Sequence, residues 1–214
     1  MKTVFALITM LILVPAAVSA QNKKYESMMQ REIKSMDQLK SEQEWVDASS
    51  QFATISNENA SEWLPSYYQG YTLLKAGMST NENSKADEYF DKALSALDKS
   101  EAISKSNSEI STLRSWILSM KISIDPVSRA YELGMQANTL LSAAIIQDAS
   151  NPRPYLLQGL AALYTPEEYG GSKKKAAELL KSSIEKFETF KPTSSLMPVW
   201  GLEKAKSALE ACNN

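Results

Sequence analysis

Four times along the chain a small residue is followed by a large apolar residue four positions on, and by a small or apolar residue three beyond that. The triplets are Ala48/Phe52/Ile55, Ala86/Phe90/Ala93, Ala137/Leu141/Ala144 and Ala176/Leu180/Ser183. Steps of four and three residues keep all three positions on one helical face. Each triplet has a further helical segment before it, so the chain reads as a series of two-helix units. A single hairpin cannot bury its apolar stripe and must stack on neighbours.

The clearest unit spans residues 151–190. Asn151 caps a helix, and Pro152 sits in the first turn, where a missing N–H is tolerated. Tyr155, Leu156, Gly159, Leu160 and Leu163 follow at helical spacing. Thr165-Pro166-Glu167-Glu168 suits a short turn, which Gly170-Gly171 breaks. The second helix carries Ala176, Leu179, Leu180, Ser183, Ile184 and Phe187, with most lysines off that face, and Pro192 ends it.

The pattern resembles tetratricopeptide repeats. That family has a large residue and then a small one four later on its first helix, and an Ala…Phe…Ala triplet on its second. Tyr155 and Gly159 match the first helix, as does Gly70 further upstream, and residues 148–152 resemble the turn between repeats. The family period is about 34 residues, whereas the leading alanines here lie 38, 51 and 39 residues apart. Loops at residues 78–83, 125–128 and 165–172 are expected to absorb the surplus. The expected fold is therefore all-α: a right-handed superhelix of antiparallel helix hairpins, about four repeats, with a C-terminal capping helix. Residues 21–214 are expected to form one domain.

Local signals place the remaining helices. Met28, Met29, Ile33, Met36 and Leu39 mark a first helix over residues 23–40. Ser41 and Glu44 make a capping box for the second. A third runs from Ser61 through Tyr67, Tyr68 and Tyr71 to Gly77, and a fourth from Ser84 to Ser100. Residues 106–109 cap a fifth, which carries Trp116. Asp125-Pro126 opens a sixth, and Pro198 is expected to open the last.

Residues 1–20 read as a leader. Lys2 precedes an apolar run over residues 4–14 that is too short for a comfortable membrane span, and Val18 and Ala20 suit cleavage after Ala20. The expected location is the periplasm or outside the cell, with no stable membrane insertion after cleavage. The 194 residues that remain hold 22 basic and 25 acidic side chains, a charge of −3. Such a chain, with Lys173-Lys174-Lys175 as its one basic run, does not suit non-specific nucleic-acid binding.

No histidine is present, and the one cysteine, Cys212, lies third from the end. Ser-His and Cys-His nucleophilic centres, histidine or cysteine zinc sites and iron–sulfur clusters are excluded. No phosphate-cradling glycine loop is found. The chain is expected to be a binding protein rather than an enzyme, without metal or cofactor.

In the resembled family the first helices line a concave groove that holds a peptide. Carried over on Gly70, the groove positions are Tyr67, Tyr71 and Lys75. Carried over on Gly159, they are Leu156, Leu160 and Tyr164. The family's Lys/Asn/Arg carboxylate clamp is replaced here by tyrosine and leucine. Trp63, Tyr67, Tyr68 and Tyr71 form an aromatic cluster, with Trp116 a further candidate. Aromatics are enriched at binding hot spots, though some of these must serve as inter-repeat core. The main expectation is an envelope scaffold that engages a protein or peptide through Trp63, Tyr67, Tyr68, Tyr71, Lys75, Trp116, Leu160 and Tyr164. The alternative is a small-ligand or carbohydrate binder that uses the same aromatics.

Overall fold

A computed structural model describes residues 14–213, with side chains from Asn22 onward. Among the described residues there are nine α-helices and no strand: α1 (Val14–Ser35), α2 (Glu42–Glu58), α3 (Leu64–Ser79), α4 (Asn83–Ile103), α5 (Ser108–Ile124), α6 (Pro126–Gln147), α7 (Pro152–Tyr164), α8 (Lys173–Thr189) and α9 (Leu202–Asn213). The fold is all-helical, with successive helices packed as hairpins. Residues 1–13 of the expected leader lie outside the described residues, and α1 runs back through the expected cleavage position to Val14.

Helix starts follow local chemistry. Glu44 Oε2 accepts from Ser41 N–H at 2.8 Å, and Ser41 Oγ accepts from Glu44 N–H at 3.3 Å. The donors on Ser41 and Lys40 hold the Glu44 carboxyl down to about 2. Asp125 accepts from Ser128 N–H ahead of Pro126, and Asn151 accepts from Arg153 N–H ahead of Pro152. The fifth helix is capped by Asn107, whose side chain accepts from Glu109 and Ile110 N–H. Pro198 does not open the last helix. The chain stays irregular through Trp200, and α9 starts behind Gly201, whose φ of 121° suits glycine alone.

All twelve triplet residues are buried. Glycines on the opposing helix let the backbones close onto them. A Cβ on Gly159 would lie 2.7 Å from Leu180 Cγ, and one on Gly77 would run into the Phe90 ring. Buried serines bind across the pairs. Ser183 donates to the Pro152 carbonyl at 2.9 Å, Ser115 to Ala137 at 3.0 Å and Ser100 to Trp63 at 2.9 Å. The Ser183 hydroxyl that closes its triplet thus has a partner, worth about 1 kcal/mol. The long interval between Ala86 and Ala137 lies partly in helix length, since α4 and α6 have 21 and 22 residues. Only Asp125 separates α5 from α6. Residues 165–172 do form a loop, with a 3-10 turn at Glu167–Tyr169.

The odd-numbered helices α3, α5, α7 and α9 touch in succession, while the even-numbered ones meet mainly their chain neighbours. The layer therefore curves with α3, α5 and α7 on its inner side. The main core joins α1 to α5 through residues such as Met29, Phe52, Tyr68, Phe90 and Leu113. A smaller one joins α7, α8 and α9 around Leu156, Leu180, Ala205 and Ala208, and half-buries Cys212.

Candidate functional site

The segment between α8 and α9 does not take the short way. Residues 191–201 turn back across the inner helices as far as α1. There Gln30 Nε2 donates to Ser195 Oγ at 3.3 Å. Leu196 is 5% exposed and belongs to the α1–α5 core, and its carbonyl accepts from Tyr68 Oη at 2.8 Å. Trp200 Nε1 donates to Tyr67 Oη at 2.9 Å. The inner face is thus partly filled by the chain's own return segment.

Trp200 completes an aromatic surface drawn from four parts of the chain. Tyr71 of α3 lies at its centre. It stacks on Trp200 at 6.1 Å between ring centroids and 25° between planes. Trp116 of α5 and Trp45 of α2 meet it edge-on at 6.3 and 6.5 Å. Trp116 and Trp200 are 4.9 Å apart. Tyr71, Trp116 and Trp200 are half-buried and Trp45 is nearly covered. Burial pushes the Tyr71 phenol up to about 12.

One cation borders this surface. Lys75, one helical turn beyond Tyr71, holds its ammonium 5.5 Å from the centre of the Trp45 ring. Burial lowers its proton affinity, and Lys204 nearby lowers it further. A carboxylate beside Lys75 would offset both effects.

Behind the surface lies a buried ion pair. Arg153, 1% exposed, donates to Glu109 Oε1 at 2.8 Å. It also donates to the carbonyls of Trp200, at 3.0 Å, and Pro198. Its guanidinium is within 5.3 to 5.6 Å of the ring centres of Trp200, Phe190 and Phe187. Glu109 Oε2 is buried without a partner, and burial pushes this carboxyl up to about 7, outweighing the pull of Arg153. A cleft of about 220 Å³ beside the pair is lined by Glu109, Asn151, Phe190, Lys191 and Met197, among others.

The residues named from sequence divide. Tyr71, Lys75 and Trp116 come together on the aromatic surface. Tyr67 and Tyr68 are 0% and 2% exposed. Their hydroxyls are engaged by the return segment, and burial raises both phenols above their ordinary value. Their rings therefore sit in the core, with no face open to a partner. Trp63 packs edge-on against Tyr67 at 5.7 Å behind them. Leu160 is half-buried in the smaller core, and Tyr164 is 65% exposed at the end of α7. Sequence reasoning named none of Trp45, Trp200, Arg153 and Glu109 as site residues. One signal for the return segment was present: Pro192, Pro198 and Gly201 punctuate residues 192–201 too densely for a helix.

Among the described residues no group of three or more His, Cys, Asp or Glu side chains could hold a metal ion. No described helix is long and apolar enough to cross a membrane. No family model matches the chain, and no curated protein matches it. Among solved structures it is similar to the HusA haemophore from Porphyromonas gingivalis, with a TM-score of 0.80 and 29% sequence identity over 88% of this chain and 92% of that one.

Proposed function

We propose that this chain is a non-catalytic binding protein for a planar, anionic tetrapyrrole of the haem class, working in the periplasm or outside the cell after removal of its leader. The observation that carries the reading is the surface of Tyr71, Trp116, Trp200 and Trp45 bordered by Lys75, on a fold similar to that of a haemophore. Flat conjugated rings gain from offset and edge-on contact with such side chains. A carboxylate at the ligand's edge would meet Lys75. The helices inferred from the triplets pair as hairpins. However, the return segment occupies inner positions where an extended peptide would lie, which favours the small-ligand reading over the peptide scaffold.

With no histidine in the chain, the ring system rather than an imidazole–iron bond carries the affinity. Iron-free protoporphyrin IX should therefore bind about as well as haem. The test is titration of the mature chain with each ligand, followed by absorbance and tryptophan quenching, alongside Tyr71→Ala and Trp116→Ala variants checked by circular dichroism. Saturable binding that falls at least about tenfold in both variants, about 1.4 kcal/mol or more, supports the reading. Non-saturable binding, or equal binding by folded variants, overturns it. Binding that needs iron would move the affinity from the ring contacts to a protein–iron bond, such as one from the Tyr71 phenol oxygen.

A further inference from the structure

We infer that Arg153 is a positioning residue for the ligand surface: it fixes Trp200 in place by holding the backbone of the return segment, and touches no ligand itself. The inference rests on the proposed binding reading for its effect on affinity, but not for its structural half.

Trp200 belongs to no helix, and neighbouring turns do not hold its backbone. Two carbonyls of its segment, those of Pro198 and Trp200, accept from one guanidinium. A planar fork with several donors can hold two acceptors and a carboxylate at once, whereas a lysine ammonium is a point charge without that shape. The guanidinium is itself fixed. Glu109 takes one nitrogen, and Phe187, Phe190 and Trp200 surround the rest. Arg153 is placed by the start of α7, where Asn151 caps the helix and prolines stand on both sides of it. The links therefore run from a rigid helix start through Arg153 to the carbonyls, and from there to the one aromatic wall contributed by an irregular segment. The other walls, Trp45, Tyr71 and Trp116, stand on helices and need no such device. Glu109 keeps the guanidinium in place through Oε1, an atom that glutamine can supply equally well.

The experiment uses the mature full-length chain carrying Arg153→Lys, Glu109→Gln or Trp200→Ala, and the double variant Arg153→Lys/Trp200→Ala. The first readout needs no ligand. In the parent, the Trp200 indole N–H is bonded to Tyr67 and should exchange slowly with solvent in NMR spectra. Arg153→Lys should lose that protection while the amides of α2, α3 and α5 keep theirs, and Glu109→Gln should retain it. The second readout is affinity for protoporphyrin IX. Arg153→Lys should weaken it about tenfold in the parent background and not further when Trp200 is already alanine. An indole protected as in the parent in a folded Arg153→Lys variant overturns the inference. So does an equal affinity loss with and without Trp200, which would mean that Arg153 does not act through it. If the parent binds no porphyrin, the proposed function fails and the effect on affinity fails with it, while indole exchange still decides whether Arg153 positions Trp200. If Arg153→Lys does not fold, the Glu109→Ala variant takes its place, since it removes the oxygen that orients the guanidinium; it should lose the same indole protection, and retained protection overturns the inference.

Discussion

Glu109 makes the pH dependence of stability run against the usual direction for a carboxylate. Its folded-state value rises from 4.5 to about 7 because burial disfavours the charged form more than Arg153 favours it. The sign follows from proton counting. Below pH 4.5 the group is protonated in both the folded and the unfolded chain. Between 4.5 and 7 the folded chain holds the proton and the unfolded chain has lost it, so stability falls as pH rises. Above 7 both are ionised and the loss is complete. At about 1.4 kcal/mol per pH unit, the interval from 4.5 to about 7 amounts to about 3 kcal/mol. The perturbation is Glu109→Gln, which does not titrate. It leaves Arg153 without a counter-charge at every pH, so the readout is the pH dependence of the difference between parent and variant. Urea unfolding at half-unit steps from pH 4 to 8 should show the parent losing about 3 kcal/mol relative to the variant across that window. A difference that stays flat, or that grows in the parent's favour as pH rises, would refute the reasoning. It would mean that the ion pair with Arg153 outweighs burial. Asp87 does not confuse the test, because Arg129 and Lys121 hold it near 2. Its contribution is present above its ordinary value, is lost only in more acidic solution, and is common to both proteins.

Other expectations follow from named contacts. Lys75→Met should weaken binding of a dicarboxylate porphyrin and flatten its dependence on salt, while leaving binding of the uncharged diester unchanged; titrations at low and high salt check this. Gly159→Ala places a methyl group 2.7 Å from Leu180 Cγ and should lower the urea midpoint by an amount worth about 1–3 kcal/mol. Leu196→Ala removes a side chain 5% exposed in the α1–α5 core and should cost about 2–5 kcal/mol, measured by the same unfolding assay.

The helices were legible because their signals are local. Ser41 with Glu44, Asp125 with Pro126 and Asn151 with Pro152 satisfy backbone groups within a few residues, so pattern and geometry coincide. The triplets were legible for a related reason, since a helical face repeats along the sequence that forms it. The return segment has no period, and its partners are distant: Tyr68 for Leu196, Tyr67 for Trp200 and Gln30 for Ser195. That is why Pro198 read as a helix start and why Trp200 was not among the candidates. The same segment explains Tyr67 and Tyr68. A first helix with an open inner side would expose them, but α3 is packed by α2, α4, α5 and residues 191–201. The charged pair Glu109 and Arg153 was least legible. Nothing in an isolated Glu or Arg reveals that a remote loop will remove it from water, although prolines on both sides of Arg153 do mark an unusual helix start.

An array of stacked hairpins is ordinarily a chain of semi-independent units that can fray from either end. The bond between Gln30 and Ser195 joins residues 165 positions apart, and Leu196 sits among side chains of α1 to α5. The last loop therefore acts as a clasp between the two ends of the array. It raises the mean sequence separation of contacts, which slows folding relative to an unclasped series of the same length. It also couples the terminal hairpins, so that neither end opens without releasing the other. In a chain synthesised from its N-terminus, the early helices can form as they emerge, but the native state must await residues 191–201. Trp200, which completes the aromatic surface, arrives with the clasp, so that surface and the global fold are completed in the same step.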